Sequence, residues 1–96
     1  MTQPISFEQR LEFAPDVATS DLHGELVLLN FSSETYFGLD EVGARIVTVL
    51  TEKPSIERGV QALCEEFDVD EQRLREDVQR LIAELLDGGL VELRAA

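Results

Sequence analysis

The sequence has few of the residues on which covalent and metal chemistry depends. Its 96 residues include one cysteine, one histidine and no tryptophan. Cys64 alone cannot form a disulfide within the chain, and with His23 it is too little for a zinc cluster. Cys64 falls on an apolar helical stripe, which indicates a buried structural thiol, and His23 precedes Gly24 in a predicted turn. We therefore predict no metal site and no cofactor.

Enzyme motifs are also missing. The sequence contains no glycine-rich phosphate loop and no HExxH, GxSxG or CxxC motif. Its paired carboxylates, such as Glu65 and Glu66, are adjacent on predicted helices, where neighbouring side chains point about 100° apart and do not share a site. We expect no catalytic residue and no enzyme activity from this chain alone.

Basic residues and long apolar runs are scarce. There are 8 Lys and Arg against 20 Asp and Glu, and the net charge is −12. This balance argues against a nucleic-acid partner, because proteins bind nucleic acid mainly through Lys and Arg that neutralise phosphates. It permits a basic partner, but the acidity is also explained by solubility alone. No run approaches the ~18 apolar residues of a membrane span, and residues 1–13 lack the features of a signal peptide. We expect a cytoplasmic protein with no membrane partner.

The chain is long enough for one domain with a modest core, and 44% of its residues are hydrophobic. Residues 1–14 are weakly patterned, and we predict an N-terminal arm with at most a short strand. Residues 15–96 form the predicted single domain. It opens with three strand candidates, which are Val17 to Leu22, Glu25 to Asn30 and Thr35 to Leu39. His23-Gly24 has the length of a two-residue hairpin turn, so the sheet is predicted to be an antiparallel meander with the third strand at an edge.

Three helices are predicted after the strands, over Glu41 to about Glu52, Ile56 to Phe67 and Glu71 to Asp87. Their predicted N-caps are Asp40, Ser55 and Asp70. Gly43 costs the first helix about 1 kcal/mol relative to alanine, which a close contact with the sheet would explain. Gly88-Gly89 is predicted to end the third helix with a left-handed cap, and residues 90–93 are a candidate final strand.

This order predicts an α+β fold that resembles a winged helix-turn-helix, with a three-stranded antiparallel sheet followed by three helices. In DNA-binding members of that class the third helix would enter the major groove. From Asp70 to Asp87 this chain has six acidic and three basic residues. DNA phosphates would repel such a helix, so we expect the winged-helix fold without DNA binding.

The third strand is the best candidate for a binding site. If it lies at the sheet edge, the N–H and C=O groups of residues 35–38 are open to an extended peptide, which can add there as a further strand. Tyr36 and Phe37 point to opposite faces, so one can pack in the core while the other lines a groove. Ordinary core aromatics remain the alternative.

The strand-turn-strand-helix segment resembles the PqqD-like family, the pyrroloquinoline quinone synthesis protein D and its relatives. The resemblance is carried by Leu26-Val27-Leu28-Leu29-Asn30, Ser32-Ser33, Thr35-Tyr36-Phe37-Gly38-Leu39 and Val42-Gly43-Ala44-Arg45-Ile46. It covers about residues 15 to 93. The chain departs from the family pattern at Asn30, where aspartate is usual, at Glu34, where glycine is usual, and at Val47, which is often aromatic.

The resemblance implies a non-catalytic precursor-peptide recognition element. Family members bind the leader segment of a ribosomally made precursor peptide as a strand along the third strand, beside the third helix. They present it to a separate leader protease or modifying enzyme. Free-standing relatives of this size occur in lasso-peptide pathways beside a protease and a cyclase, and others serve radical-enzyme pathways.

Carried onto this chain, the resemblance predicts a peptide-binding site on two elements. The strand side comprises Ser33, Glu34, Thr35, Tyr36, Phe37, Gly38 and Leu39. The helix side comprises Leu74, Arg75, Asp77, Val78, Leu81, Ile82 and Leu85, of which Arg75 and Asp77 are expected to pair with charged leader residues. Two other functions stay open, a winged-helix transcription regulator and a structural adaptor or dimerisation domain. The expected state is a monomer or a weak homodimer.

Overall fold

The computed structural model describes residues 5–96 and has five strands and three helices in this range. In chain order they are β1 (Arg10–Phe13), β2 (Val17–Leu22), β3 (Glu25–Asn30), β4 (Thr35–Leu39), α1 (Glu41–Glu52), α2 (Ile56–Phe67), α3 (Glu71–Asp87) and β5 (Val91–Arg94). β2, β3 and β4 form one antiparallel sheet in that order, and β1 pairs with β5 in a second. The α+β prediction of three strands followed by three helices is confirmed.

The β2–β3 hairpin closes with the predicted two-residue turn. Both turn residues have positive φ, 57° at His23 and 89° at Gly24, which is the pattern of a type I′ turn. The Asp21 carboxylate accepts a hydrogen bond from the Gly24 N–H at 3.2 Å. β3 alternates between buried Leu26, Leu28 and Asn30 and the half-buried residues between them, so its even-numbered side chains face the helices.

Each helix begins at its predicted cap. The Asp40, Ser55 and Asp70 side chains accept hydrogen bonds from backbone N–H groups three residues later. Gly43 is explained by packing, because a Cβ there would lie 3.3 Å from the Leu39 side chain at the end of β4. α1 therefore begins pressed against the strand that precedes it.

The end of α3 has the predicted left-handed cap at Gly88-Gly89. The left-handed residue is Gly89, with φ 68°, whereas Gly88 keeps a right-handed conformation with φ −82°. The Leu90 N–H bonds to the Leu85 carbonyl at 2.9 Å, and the Gly89 N–H bonds to the Leu86 carbonyl at 3.0 Å. These two bonds make a Schellman motif, in which the residue after the cap is the left-handed one.

Residues 5–14 are not a separate arm, so the predicted boundary at residue 14 does not divide the structure. Leu11 of β1 pairs with Leu93 of β5 and is fully buried. The Phe7 and Gln9 carbonyls accept hydrogen bonds from the first N–H groups of α2. A four-residue strand whose partner lies about 80 residues later leaves no local pattern in the sequence. The first four residues of the predicted arm lie outside the described residues.

All these elements share one core. It is built from inward-facing residues of both sheets and from one stripe of each helix. Val42, in the first turn of α1, lies outside this core and is 57% exposed. Within residues 5–96, no helix combines the length and apolar character needed to cross a membrane.

Candidate functional site

β4 is an edge strand, with β3 on one side and no strand of the described residues on the other. Hydrogen bonding alternates along an antiparallel pair. The Phe31 N–H bonds to the Asp16 carbonyl at 2.9 Å, so odd-numbered residues of β3 bond toward β2 and even-numbered ones toward β4. Because Leu28 opposes Phe37, it is Phe37 that bonds to β3. The N–H and C=O groups of Tyr36 and Gly38 therefore point away from the sheet.

Side chains of β4 alternate in the perpendicular direction. Thr35 and Phe37 are half-buried and Leu39 is 6% exposed, so these three face the helices. Tyr36 is 74% exposed, and a Cβ on Gly38 would meet nothing within 4 Å. Phe37 thus belongs to the core and Tyr36 stands in solvent. The outward-pointing N–H and C=O groups belong to Tyr36 and Gly38, whose side-chain positions are turned away from the helices. Ser33 and Glu34, which were predicted for the strand side of the site, lie in the turn before β4 and are exposed.

The two flanks of α3 have different surroundings. Leu86 borders β5, beside residues 91–94. Arg75, eleven residues earlier and thus on the same flank, donates hydrogen bonds to Glu57 and Glu71 and lies 5.5 Å from the centre of the Phe7 ring. The hydrogen bond from Arg75 holds the pKa of Glu57 below its ordinary value, and both carboxylates raise the pKa of Arg75.

On the opposite flank of α3, which we call the open flank, Leu81 packs partly against the core and Asp77 is half-exposed. Leu81 is five residues before Leu86, which turns it about 140° away from β5. It is half-buried, and Asp77, one turn earlier, is half-exposed and paired only with Arg80 of the same helix at 2.9 Å. Leu81 and Asp77 are therefore the predicted α3 residues available on a surface turned away from β5.

The other predicted α3 residues do not line an open surface. Leu74 is 5% exposed, and the side chains of Val78, Ile82 and Leu85 are completely buried. Arg75 lies on the β5 flank, held by α2 and the N-terminal segment. The apolar stripe of α3 is thus chiefly core, because a helix that covers a sheet and another helix uses most of its stripe for packing.

The sequence matches a protein-family model. The model for coenzyme PQQ synthesis protein D matches residues 25–91, which is more than two thirds of the chain. The chain belongs to the PqqD family. No curated protein matches its sequence.

Two solved structures resemble this PqqD-family chain. TbiB1, determined in complex with the TbiA(beta) leader peptide, is 34% identical, with a TM-score of 0.78 over 84% of this chain and 94% of TbiB1. A lasso peptide synthetase B1, complexed with the leader peptide, is 24% identical, with a TM-score of 0.76 over 86% of this chain and 98% of that one. The second match supports the fold, and the first also supports membership of the family.

Asn30, which replaces the aspartate usual in the PqqD family, connects the turn between β3 and β4 to the end of α3. The side-chain N–H of Asn30 donates to the Gly89 carbonyl at 2.7 Å, and its oxygen accepts from the Ser32 and Ser33 N–H groups at 2.8 and 3.1 Å. Asn30 is only 8% exposed. No role was predicted for Asn30, although a polar residue at an inward-facing position of a middle strand needs a buried partner.

The second departure, Glu34, takes the conformation that glycine adopts most easily. Its φ is 58°, in the left-handed region, at the last position of the four-residue turn between Asn30 and Thr35. A side chain there costs about 1 kcal/mol or more relative to glycine. The turn keeps its geometry despite this cost because the Asn30 side chain binds its first two free N–H groups.

Proposed function

We propose that this PqqD-family domain binds the leader segment of a ribosomally made precursor peptide as a further strand on β4. It performs no chemistry itself and delivers the peptide to a separate leader protease or modifying enzyme, as in a lasso-peptide pathway. The observation that carries the proposal is the open edge of β4, where Tyr36 and Gly38 offer outward N–H and C=O groups. The 34% identity to TbiB1, a chain determined with a leader peptide, supports the same ligand class.

In this proposal the two sides of the site contribute differently. The backbone of residues 33–39 supplies hydrogen bonds that any extended peptide can make, which gives affinity with little sequence preference. The half-buried Leu81 side chain supplies an apolar contact on the open flank of α3, and Asp77 supplies a negative charge. Leu74, Val78, Ile82 and Leu85 act from the core by holding α3 in place. Arg75 is engaged elsewhere and makes no leader contact.

The test is a fluorescence-polarisation titration with a labelled leader peptide, taken from a short precursor-like reading frame sought in the neighbourhood of this gene. We expect a Kd on the order of 1 μM, equivalent to about −8 kcal/mol. Tyr36→Pro removes an outward N–H and is tolerated at a sheet edge, so the fold should survive while the Kd rises at least tenfold.

Thr19→Pro is the matched control. Thr19 lies opposite Leu28 in β2, so its N–H also points away from the sheet, but at the other edge. Its substitution should leave the leader Kd within twofold of the wild-type value. Equal losses in both variants would mean general damage to the sheet, and no loss in the Tyr36→Pro variant would refute strand addition at β4.

A further inference from the structure

The face of the three-stranded sheet that is turned away from the helices is apolar at its centre. The strand register places Leu29 between Ala18 and Tyr36, and Val27 between Ser20 and Gly38. Val27 and Leu29 are half-buried by their sheet neighbours, and neither packs against the core. An antiparallel sheet with one solvated face normally places polar residues there. This second apolar surface therefore needs a reason other than folding.

Larger apolar side chains extend the same surface. By the alternation of side chains, Leu22 lies on the same face as Val27 and Leu29. Phe31 continues this alternation one residue past β3, where its N–H still bonds to the Asp16 carbonyl beside β2. Among the described residues, five large apolar side chains are well exposed, and three of them are here: Leu22 at 54%, Phe31 at 64% and Tyr36 at 74%. We call this surface the outer face, and its apolar members are Ala18, Leu22, Val27, Leu29, Phe31 and Tyr36. A contiguous exposed apolar patch is typical of an interaction site.

The charges around the outer face have one sign. Asp16, Glu25 and Glu34 stand at its rim, and the ion pairs found among residues 5–96 do not include them. A second copy of the chain, with its net charge of −12, would bring the same acidic rim against this one. Charge complementarity favours instead a partner surface with an apolar centre surrounded by Lys and Arg.

We propose that the outer face docks the enzyme that receives the leader, through an apolar patch with a basic rim on that enzyme. The inference rests on the proposed function, because a leader strand on β4 extends this same sheet. Every second leader side chain would then stand on the outer face beside Tyr36. An enzyme seated there contacts the domain and the leader together, so it recognises the loaded domain in preference to the empty one.

The experiment uses the double variant Val27→Thr/Leu29→Thr, which makes the outer face polar while keeping residues suited to a strand. The control double variant, Val42→Thr/Val69→Thr, makes two exposed apolar positions polar elsewhere on the surface. The probe is the purified protease or modifying enzyme encoded beside the precursor gene. Its affinity for the immobilised domain is measured with and without leader, and the leader Kd of each variant is measured separately.

We expect the outer-face variant to bind the enzyme at least tenfold more weakly while its leader Kd stays within twofold of the wild-type value. The control should change neither affinity, and raising the salt concentration should weaken enzyme binding to the wild-type domain. If the outer-face variant loses its cooperative thermal transition, Val27→Thr alone is measured by the same criteria.

Two results would overturn the docking inference. One is an unchanged enzyme affinity in a folded outer-face variant. The other is a wild-type dimer in sedimentation that the outer-face substitutions dissociate, which would assign the face to a second copy. If the wild-type domain binds no leader, the proposed function fails on its own evidence, and the enzyme titration without leader still decides whether the outer face docks the enzyme.

Discussion

β2 and β4 are both edge strands of one sheet, and each joins β3 through a turn that contains a residue with positive φ. The β2–β3 turn is held locally, by the Asp21 side chain. The β3–β4 turn is bound through Asn30 to the end of α3, and β4 runs directly into α1, where Leu39 meets Gly43. β4 is therefore fixed at both ends. β2 is fixed at its start, where the Ala14 N–H bonds to the Leu90 carbonyl and Val17 packs against the core, but it ends at an exposed turn. An edge that receives a peptide benefits from this rigidity, since less entropy is lost on binding.

The largest effect should come from α3, whose open flank is the proposed apolar side of the leader site. Leu81→Glu places a charge on the open flank of α3, and we expect the leader Kd to rise about thirtyfold, near 2 kcal/mol. Leu86→Glu makes the same change on the flank beside β5 and should leave the Kd within twofold. Fluorescence polarisation measures both, with circular dichroism as the check on folding. Similar losses in the two variants would place the peptide somewhere other than the open flank.

A smaller effect is expected from the Asn30 connection. Asn30→Asp keeps the oxygen that serves the turn but removes the N–H donated to Gly89, and it sets a carboxylate against a carbonyl. We expect the free energy of unfolding to fall by about 1–2 kcal/mol and the leader Kd to rise about threefold. Urea denaturation and the leader titration measure these two quantities.

Gly24→Ala is the control for that change. Its φ of 89° makes any side chain unfavourable, so it should cost about 1 kcal/mol of stability through the other hairpin. If β4 is positioned by Asn30, Gly24→Ala should leave the leader Kd unchanged. A threefold weakening in both variants would show that affinity merely follows stability and that the two hairpins are equivalent.

The smallest effect is expected at Glu34. Glu34→Gly removes the strain of a left-handed side chain but gives the unfolded chain more freedom, so the net gain in stability should be only about 0.5 kcal/mol. Thermal unfolding should show a midpoint a few degrees higher. A lower midpoint would mean that the Glu34 side chain stabilises the turn by more than its conformation costs. The leader Kd should not change.

The sequence was sufficient for β2, β3, β4 and the three helices because each carries local evidence. Asp40, Ser55 and Asp70 mark the helix starts, and His23-Gly24 marks the hairpin. The pairing of β1 with β5 could not be predicted, since no residue in a four-residue strand points to a partner about 80 positions away. The prediction of an N-terminal arm over residues 1–14 followed from this lack of local evidence.

The candidate site was predictable in its backbone but not in its side chains. Alternation along β4 predicted that Tyr36 and Phe37 would face opposite ways, which holds. On α3, periodicity shows which residues share a stripe, but it cannot show which part of the stripe other elements cover. Val78 and Leu81 look equivalent in the sequence, and only the packing separates the buried residue from the half-exposed one.

The pairing of β1 with β5 also bears on the order of folding. Hairpins such as β2–β3 close short loops, whereas Leu11 and Leu93 can meet only after nearly the whole chain has been brought together, at a higher cost in loop-closure entropy. We expect the three-stranded sheet and α1 to form early and the two-stranded sheet to form last. The fully buried Leu11 then acts as the closing contact of the core, so β4 could take shape before the domain is complete.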